Sequence, residues 1–167
     1  MVLRITKQSD YGIVLMTLFA AQPQAAAKSA RDLAQETGLP LPMVGKILKL
    51  LVRDGLLASQ RGAKGGYRLS RPPDRITIEE VVSALEGPIA ITECTERGPG
   101  ACRYVDGCDL QPNWLRINQA LRHALQGITL LDMTPDRSGG GEGERAGNGN
   151  GVARAAAALE RMGEAQA

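Results

Sequence analysis

The sequence predicts a mainly α chain with one small β-hairpin set among its helices and a long helix toward its C-terminal end. Three observations predict this. Apolar residues recur at helical spacing in five segments. Two of those segments are separated only by Gly38, Leu39, Pro40 and Leu41. A glycine-rich turn, Arg61-Gly62-Ala63-Lys64-Gly65-Gly66, joins two short alternating runs.

The first helix spans about 6–21, with Tyr11, Val14, Leu15, Leu18 and Phe19 on one face and Thr6 or Ser9 as its cap. Pro23 breaks the pattern. A second helix fits 30–37, capped by Ser29 with Asp32 three residues on and closed by Gly38. A third fits 42–54, with Pro42 at its start, Met43, Ile47, Leu50 and Leu51 inward, and Lys46, Lys49 and Arg53 off that face. Residues 56–60 and 67–71 form the hairpin, stopped by Pro72-Pro73. This order, helix–turn–helix then hairpin, is a winged helix–turn–helix. Thr77-Ile78-Glu79-Glu80 is a capping box that opens a fourth helix, ended by Gly87-Pro88.

Residues 89–112 show no periodicity and hold all three cysteines, Cys94, Cys102 and Cys108. So long an irregular stretch inside a domain is usually functional or disordered. A fifth helix fits 113–126, with a stripe of Trp114, Ile117, Leu121, Leu125 and Ile128 that has little left to pack against in its own chain; Thr129 caps one further turn through Met133. From Thr134 the composition shifts to glycine, with seven in 134–151, so 134–167 reads as a disordered tail with a short Ala-rich helix at 152–162. The expected organisation is therefore 1–87 for the winged helix, 88–112 for the cysteine loop, 113–133 for the long helix and 134–167 for the tail.

Composition narrows the function. Of 167 residues, 43 % are hydrophobic and only 3 % aromatic, so the core is aliphatic. No apolar run reaches the ~20 residues of a membrane span, and no leader is visible, so the chain reads as unexported, cytoplasmic and without a membrane partner. The net charge of +2 names no partner, but its distribution does more. From Lys28 to Arg75 ten Lys and Arg face four Asp and Glu; from Ile76 to Gln111 two face seven. The basic half carries Met43, Lys46 and Lys49 on the third helix and Arg61, Lys64 and Arg68 on the wing, an arrangement suited to double-stranded DNA, although winged helices also bind proteins. Wing glycines would let backbone approach phosphates and let Arg61 enter a minor groove. The spacing differs from a phosphate-binding P-loop. No Ser/His/Asp set, paired carboxylates or nucleotide loop supports an enzyme or a small-molecule substrate.

An odd number of cysteines in an unexported chain makes a poor disulfide framework. Three thiolates within fifteen residues of glycine-bearing loop select soft metals, and zinc and an iron–sulfur cluster both remain open. The short paired steps common in structural zinc sites are absent. Three unrelated cysteines are the plain alternative. Glu93, Glu96, Asp106 and Asp109 read as solvated loop charge, and His123 as an exposed or interfacial side chain rather than a ligand.

Five motifs carry a resemblance: Leu3-Arg4-Ile5-Thr6-Lys7-Gln8-Ser9-Asp10-Tyr11, Arg61-Gly62-Ala63-Lys64-Gly65-Gly66-Tyr67-Arg68-Leu69, Ile76-Thr77-Ile78 through Glu86-Gly87, the three-cysteine loop, and Ile128-Thr129-Leu130-Leu131-Asp132-Met133. Over about residues 3–133 the chain resembles the iron–sulfur winged-helix regulators of the IscR and NsrR family, most of all the SUF-system branch. The resemblance implies a homodimer joined through the long helix, a two-fold symmetric DNA operator, and a 2Fe–2S or 4Fe–4S cluster on Cys94, Cys102 and Cys108 whose state alters DNA affinity. It implies a repressor of iron–sulfur cluster assembly genes. A nitric-oxide or redox sensor of the same architecture and a zinc-stabilised winged helix without sensing are the rival readings. For the fourth ligand it offers Asp10 from the second copy; Gln111 stands where another branch has a histidine. The wing arginine that enters the minor groove in relatives matches Arg61. Base-reading positions of relatives match Pro40, Pro42 and Gly45, which lack the hydrogen-bonding side chains, leaving Met43 and Lys46 as local candidates.

Overall fold

In a computed structural model, residues 5–21, 27–62, 65–95 and 108–134 are described. Helix α1 spans Lys7–Ala20, α2 Ala30–Thr37 and α3 Leu41–Arg53; strands β1 Leu57–Gln60 and β2 Gly66–Leu69 follow; α4 spans Ile78–Glu86 and α5 Gln111–Gln126. Single 3-10 turns lie at Pro73–Arg75 and Glu93–Thr95. This is the expected winged helix–turn–helix with a separate C-terminal helix.

Local chemistry explains the element starts. Thr6, not Ser9, caps α1 by accepting the Ser9 N–H. Ser29 with Asp32 and Thr77 with Glu80 make reciprocal capping boxes at α2 and α4. Gly38, at φ 72°, ends α2 in the left-handed conformation that allows the tight turn into α3. Helix α3 begins one residue earlier than the sequence predicts, at Leu41, because Pro40 already serves as its cap position.

Leu15, Met16, Leu33, Val44, Ile47, Leu48, Leu51, Ile76 and Val81 are fully buried in one aliphatic core. Helix α1 lies close on α4 at Gly12, where a Cβ would stand 2.2 Å from Leu85 Cδ1. Gln8 and Ser9 also bond Leu85 O and the Glu86 carboxylate, at 2.6 and 2.7 Å, and Thr6 reaches the same carboxylate.

β1 and β2 pair antiparallel, with Leu57 opposite Leu69 and Gln60 opposite Gly66. Lys28 adds a third rung, exchanging two backbone hydrogen bonds with Tyr67 at 3.0 and 2.9 Å. Gly65 and Gly66 serve this hairpin itself. A Cβ on Gly65 would lie 2.3 Å from Gln60 O, and one on Gly66 2.7 Å from Lys28 O. At these two positions the fold, rather than an approaching phosphate, demands glycine.

The long helix ends at Gln126, short of Ile128. The chain then returns to the winged helix: Ile78 N–H bonds Ile128 O at 2.9 Å, Leu130 N–H bonds Ile76 O at 2.7 Å, and Leu130 is fully buried. Residues 128–130 thus join the first body rather than extend α5. Thr129 and Asp132 close the following turn with mutual hydrogen bonds. Among the described residues no helix is long and apolar enough to cross a membrane. The tail from residue 135, with its expected short helix, lies outside them.

Candidate nucleic-acid interface and cysteine loop

Helix α3 turns Val44, Ile47, Leu48 and Leu51 into the core. That leaves Leu41, Pro42, Gly45, Lys46, Lys49 and Arg53 along its outer side. Lys46 and Lys49 are exposed and have no ion-pair partner among the described residues. Met43 packs partly against the core, so only part of its side chain is free. Arg61, at the wing turn, and Arg68, on β2, are exposed and unpaired as well. Strand alternation explains Arg68: its neighbours Tyr67 and Leu69 pack toward the core, which sends Arg68 outward. Lys64 lies outside the described residues.

Several other arginines are paired within the fold. Arg71 pairs with Glu80 at 2.9 Å, Arg122 with Glu79 at 3.2 Å, and Arg53 with Asp54 at 2.8 Å. Burial alone would push the Glu80 carboxyl up, but the Thr77 N–H, Arg71 and the Thr77 hydroxyl together hold it below the usual glutamate range. Asp32 and Asp132 are lowered too, each chiefly by its side-chain hydrogen bond, to Ser29 and Thr129 respectively. A cavity of about 510 Å³ lies between the end of α3, α4 and α5, and its charged lining consists of these same paired groups, with no buried side-chain polar atom left unpartnered among the described residues.

The cysteine region joins α4 to α5. Cys94 sits in the 3-10 turn Glu93–Thr95, which packs on α5. Cys108 is a half-buried free thiol three positions before α5 starts, and its carbonyl accepts the Gln111 N–H at 3.2 Å. Cys102 lies outside the described residues, as do Glu96 and Asp106. Among the described residues no group of three or more His, Cys, Asp and Glu side chains is placed to hold a metal. Glu93 and Asp109 are exposed. Asp10 is exposed in the first turn of α1, where Thr6 supplies the cap, so its carboxylate has no partner among the described residues. Gln111 opens α5, and His123 is exposed, 3.4 Å from the Gln119 amide nitrogen.

Two contacts that the sequence does not announce organise this region. Asn118, 8 % exposed, is the one buried residue of α5; its amide oxygen accepts the Ile91 N–H at 3.2 Å and its nitrogen donates to Ile89 O at 3.0 Å. Arg122 reaches back from α5 to Glu79 on α4, and Ser83 donates to the same carboxylate oxygen at 3.3 Å. A polar residue in an apolar stripe is the only sequence trace of the first. Beside its exposed polar residues α5 carries an open apolar strip: Leu110, just before the helix, and Trp114, Leu115 and Ile117 within it are 38–61 % exposed.

Comparisons with known proteins fit this geometry. A family model named Rrf2 and described as an iron-dependent transcriptional regulator matches residues 5–136. Protein aau3 of Rhizobium meliloti (strain 1021) is 34 % identical over 135 residues, covering 81 % of this chain and 87 % of its own. CymR (YrzC), the global cysteine regulator of B. subtilis, superposes with a TM-score of 0.61 at 30 % identity, over 79 % of this chain and 96 % of that one. The IscR of T. potens does so with a TM-score of 0.62 at 25 % identity, over 84 % and 94 %. With residues 5–136 of 167 matched by the family model and its winged helix and basic face in place, the chain belongs to the Rrf2 family of winged-helix, DNA-binding transcriptional regulators, and not to an enzyme family.

Proposed function

We propose that this regulator is a homodimeric, iron–sulfur-cluster-sensing repressor that acts in the cytoplasm on a two-fold symmetric operator and controls cluster-assembly genes. The observation that carries the reading is the mechanical join around α5. Asn118 ties residues 89 and 91, just ahead of Cys94, to α5, and Arg122 ties α5 to α4. Helix α4 packs on α3, and Arg53 on α3 donates to Ala84 O on α4 at 3.4 Å. A change in how the cysteine segment is held therefore reaches the DNA-facing helix through three packed elements.

The donors fit a soft cofactor. Cys94, Cys102 and Cys108 offer thiolates, and Asp10, exposed and unpartnered, is the fourth ligand we assign, reaching from the second copy. A bound 2Fe–2S or 4Fe–4S cluster would supply a redox-active centre there. The dimer uses Leu110, Trp114, Ile117, Leu121 and Ala124, whose alternating spacing of four and three residues is that of a helix seam. Such pairing is isologous, so the operator repeats with two-fold symmetry and half-sites about 34–36 Å apart. Lys46, Lys49, Arg61, Lys64 and Arg68 then hold phosphates and grooves, with Met43 at the edge of the base-facing turn.

Anaerobic purification with iron and sulfide counting tests the reading, together with DNA binding before and after cofactor removal. Cys102→Ala should remove the visible absorbance, and DNA affinity should change at least tenfold between the two forms. Zinc without iron or sulfide would favour the zinc-stabilised alternative. Equal affinity of both forms would defeat the sensing role.

A further inference from the structure

We infer that the first turn of α3 reads its operator through thymine methyl groups, with Leu41 and Pro42 as the apolar contacts and Gly45 as the notch that lets the helix sit close to the base edges. This deepens the DNA-binding reading above and rests on it.

Helix α3 is poor in hydrogen-bonding side chains. Its residues, Leu-Pro-Met-Val-Gly-Lys-Ile-Leu-Lys-Leu-Leu-Val-Arg, include no Asn, Gln, Asp, Glu, Ser or Thr. Those side chains supply most hydrogen-bonded readout of adenine and cytosine. Arg53 is the planar donor fork of the helix, but it already bonds Asp54 and Ala84 O, and it lies about 18 Å along the axis from Leu41. Near the start of the helix only Lys46 can donate, as a point charge.

What α3 offers instead is apolar. Leu41 is 44 % exposed and Pro42 is exposed, on the side that also carries Gly45, Lys46 and Lys49. A single exposed leucine is ordinary. Gly45 makes this one informative. Glycine weakens a helix interior, and here a Cβ would meet nothing within 4 Å. Among the described residues no neighbour needs the space, whereas Gly12, Gly65 and Gly66 all stand against close neighbours. A helix glycine with no described neighbour to make room for, followed by the unpaired Lys46 and Lys49, suits close approach of a polyanion. The 5-methyl of thymine is the one apolar group that the major groove presents.

The test uses the full chain, purified anaerobically, and a library of duplexes with a random core, from which the tightest binder is enriched. Each thymine of that duplex is then replaced by uracil, which removes the methyl and keeps base pairing. Affinity should fall about three- to tenfold at one or two positions per half-site. Leu41→Ala should erase that sensitivity. Gly45→Ala should weaken the enriched duplex about tenfold, and by more than it weakens low-salt binding to an unrelated duplex. Insensitivity to uracil at every position, or sensitivity retained by Leu41→Ala, overturns the inference. Failure to enrich any duplex, with cofactor-bearing or cofactor-free protein, instead overturns the DNA-binding reading itself.

Discussion

The winged-helix body and the α5 arm are stabilised by opposite means. In the body, α1, α2 and α4 each begin on a capping side chain, Thr6, Ser29 or Thr77, and the helices close over a shared aliphatic core. Helix α5 is longer than any of them, yet it has no side-chain cap and buries only Asn118. Its fixed points are polar: the Asn118 amide and the Arg122–Glu79 pair. Displacement therefore costs least at α5. A body held by its own core resists small perturbations, whereas an arm held by a few hydrogen bonds and an open apolar strip takes its position from whatever it meets.

Four substitutions test whether the body and α5 differ in this way. The largest effect is expected from Ile117→Glu, which sets a charge in the open apolar strip. Burying it unpaired would cost several kcal/mol, so the variant should run as a monomer in sedimentation while keeping the helical signal of the body. A variant that stays dimeric would show that α5 is not the joining surface. Gly12→Ala comes next, because its Cβ would press on Leu85; overpacking of this kind costs about 1–3 kcal/mol and should lower the melting temperature of the body directly.

Asn118→Ala removes both partners of Ile89 O and Ile91 N–H and should cost about 1–2 kcal/mol. Its signature is local: faster hydrogen exchange at the Ile91 amide, with amides of α1 and α3 unchanged. The smallest effect belongs to Thr77→Ala, at about 1 kcal/mol for a lost cap. It also carries a pH signature. The Glu80 carboxyl is lowered in the folded chain, so its contribution is complete above the ordinary glutamate range and fades as pH falls through the folded value. Thermal unfolding between pH 7 and pH 3 should show this slope flattened in the Thr77→Ala variant.

Much of the body is legible in the sequence because its signals are local. Ser29 with Asp32, Thr77 with Glu80 and the glycines of the wing turn each act within a few residues, and the structure places an element boundary at each. The basic side of α3 and the wing is legible for the same reason, since helix and strand periodicity sort Lys46, Lys49 and Arg68 outward. The role of the wing glycines is not: read alone they suit an approaching phosphate, but Gly65 and Gly66 are required by Gln60 O and Lys28 O. The apolar stripe of the long helix is legible, but its last member, Ile128, belongs to the segment that returns to the body.

The helices, most of their caps, the hairpin and the apolar strip can be read locally, since each is encoded by neighbours one turn or one strand step apart. Three features emerge only when the elements pack: Lys28 completes the wing, residues 128–130 pair back onto Ile76 and Ile78, and Asn118 and Arg122 bind α5 to the rest. Those contacts join groups from 27 to 54 residues apart. They depend on where whole elements come to rest when the core closes, and no local pattern of residues encodes that placement.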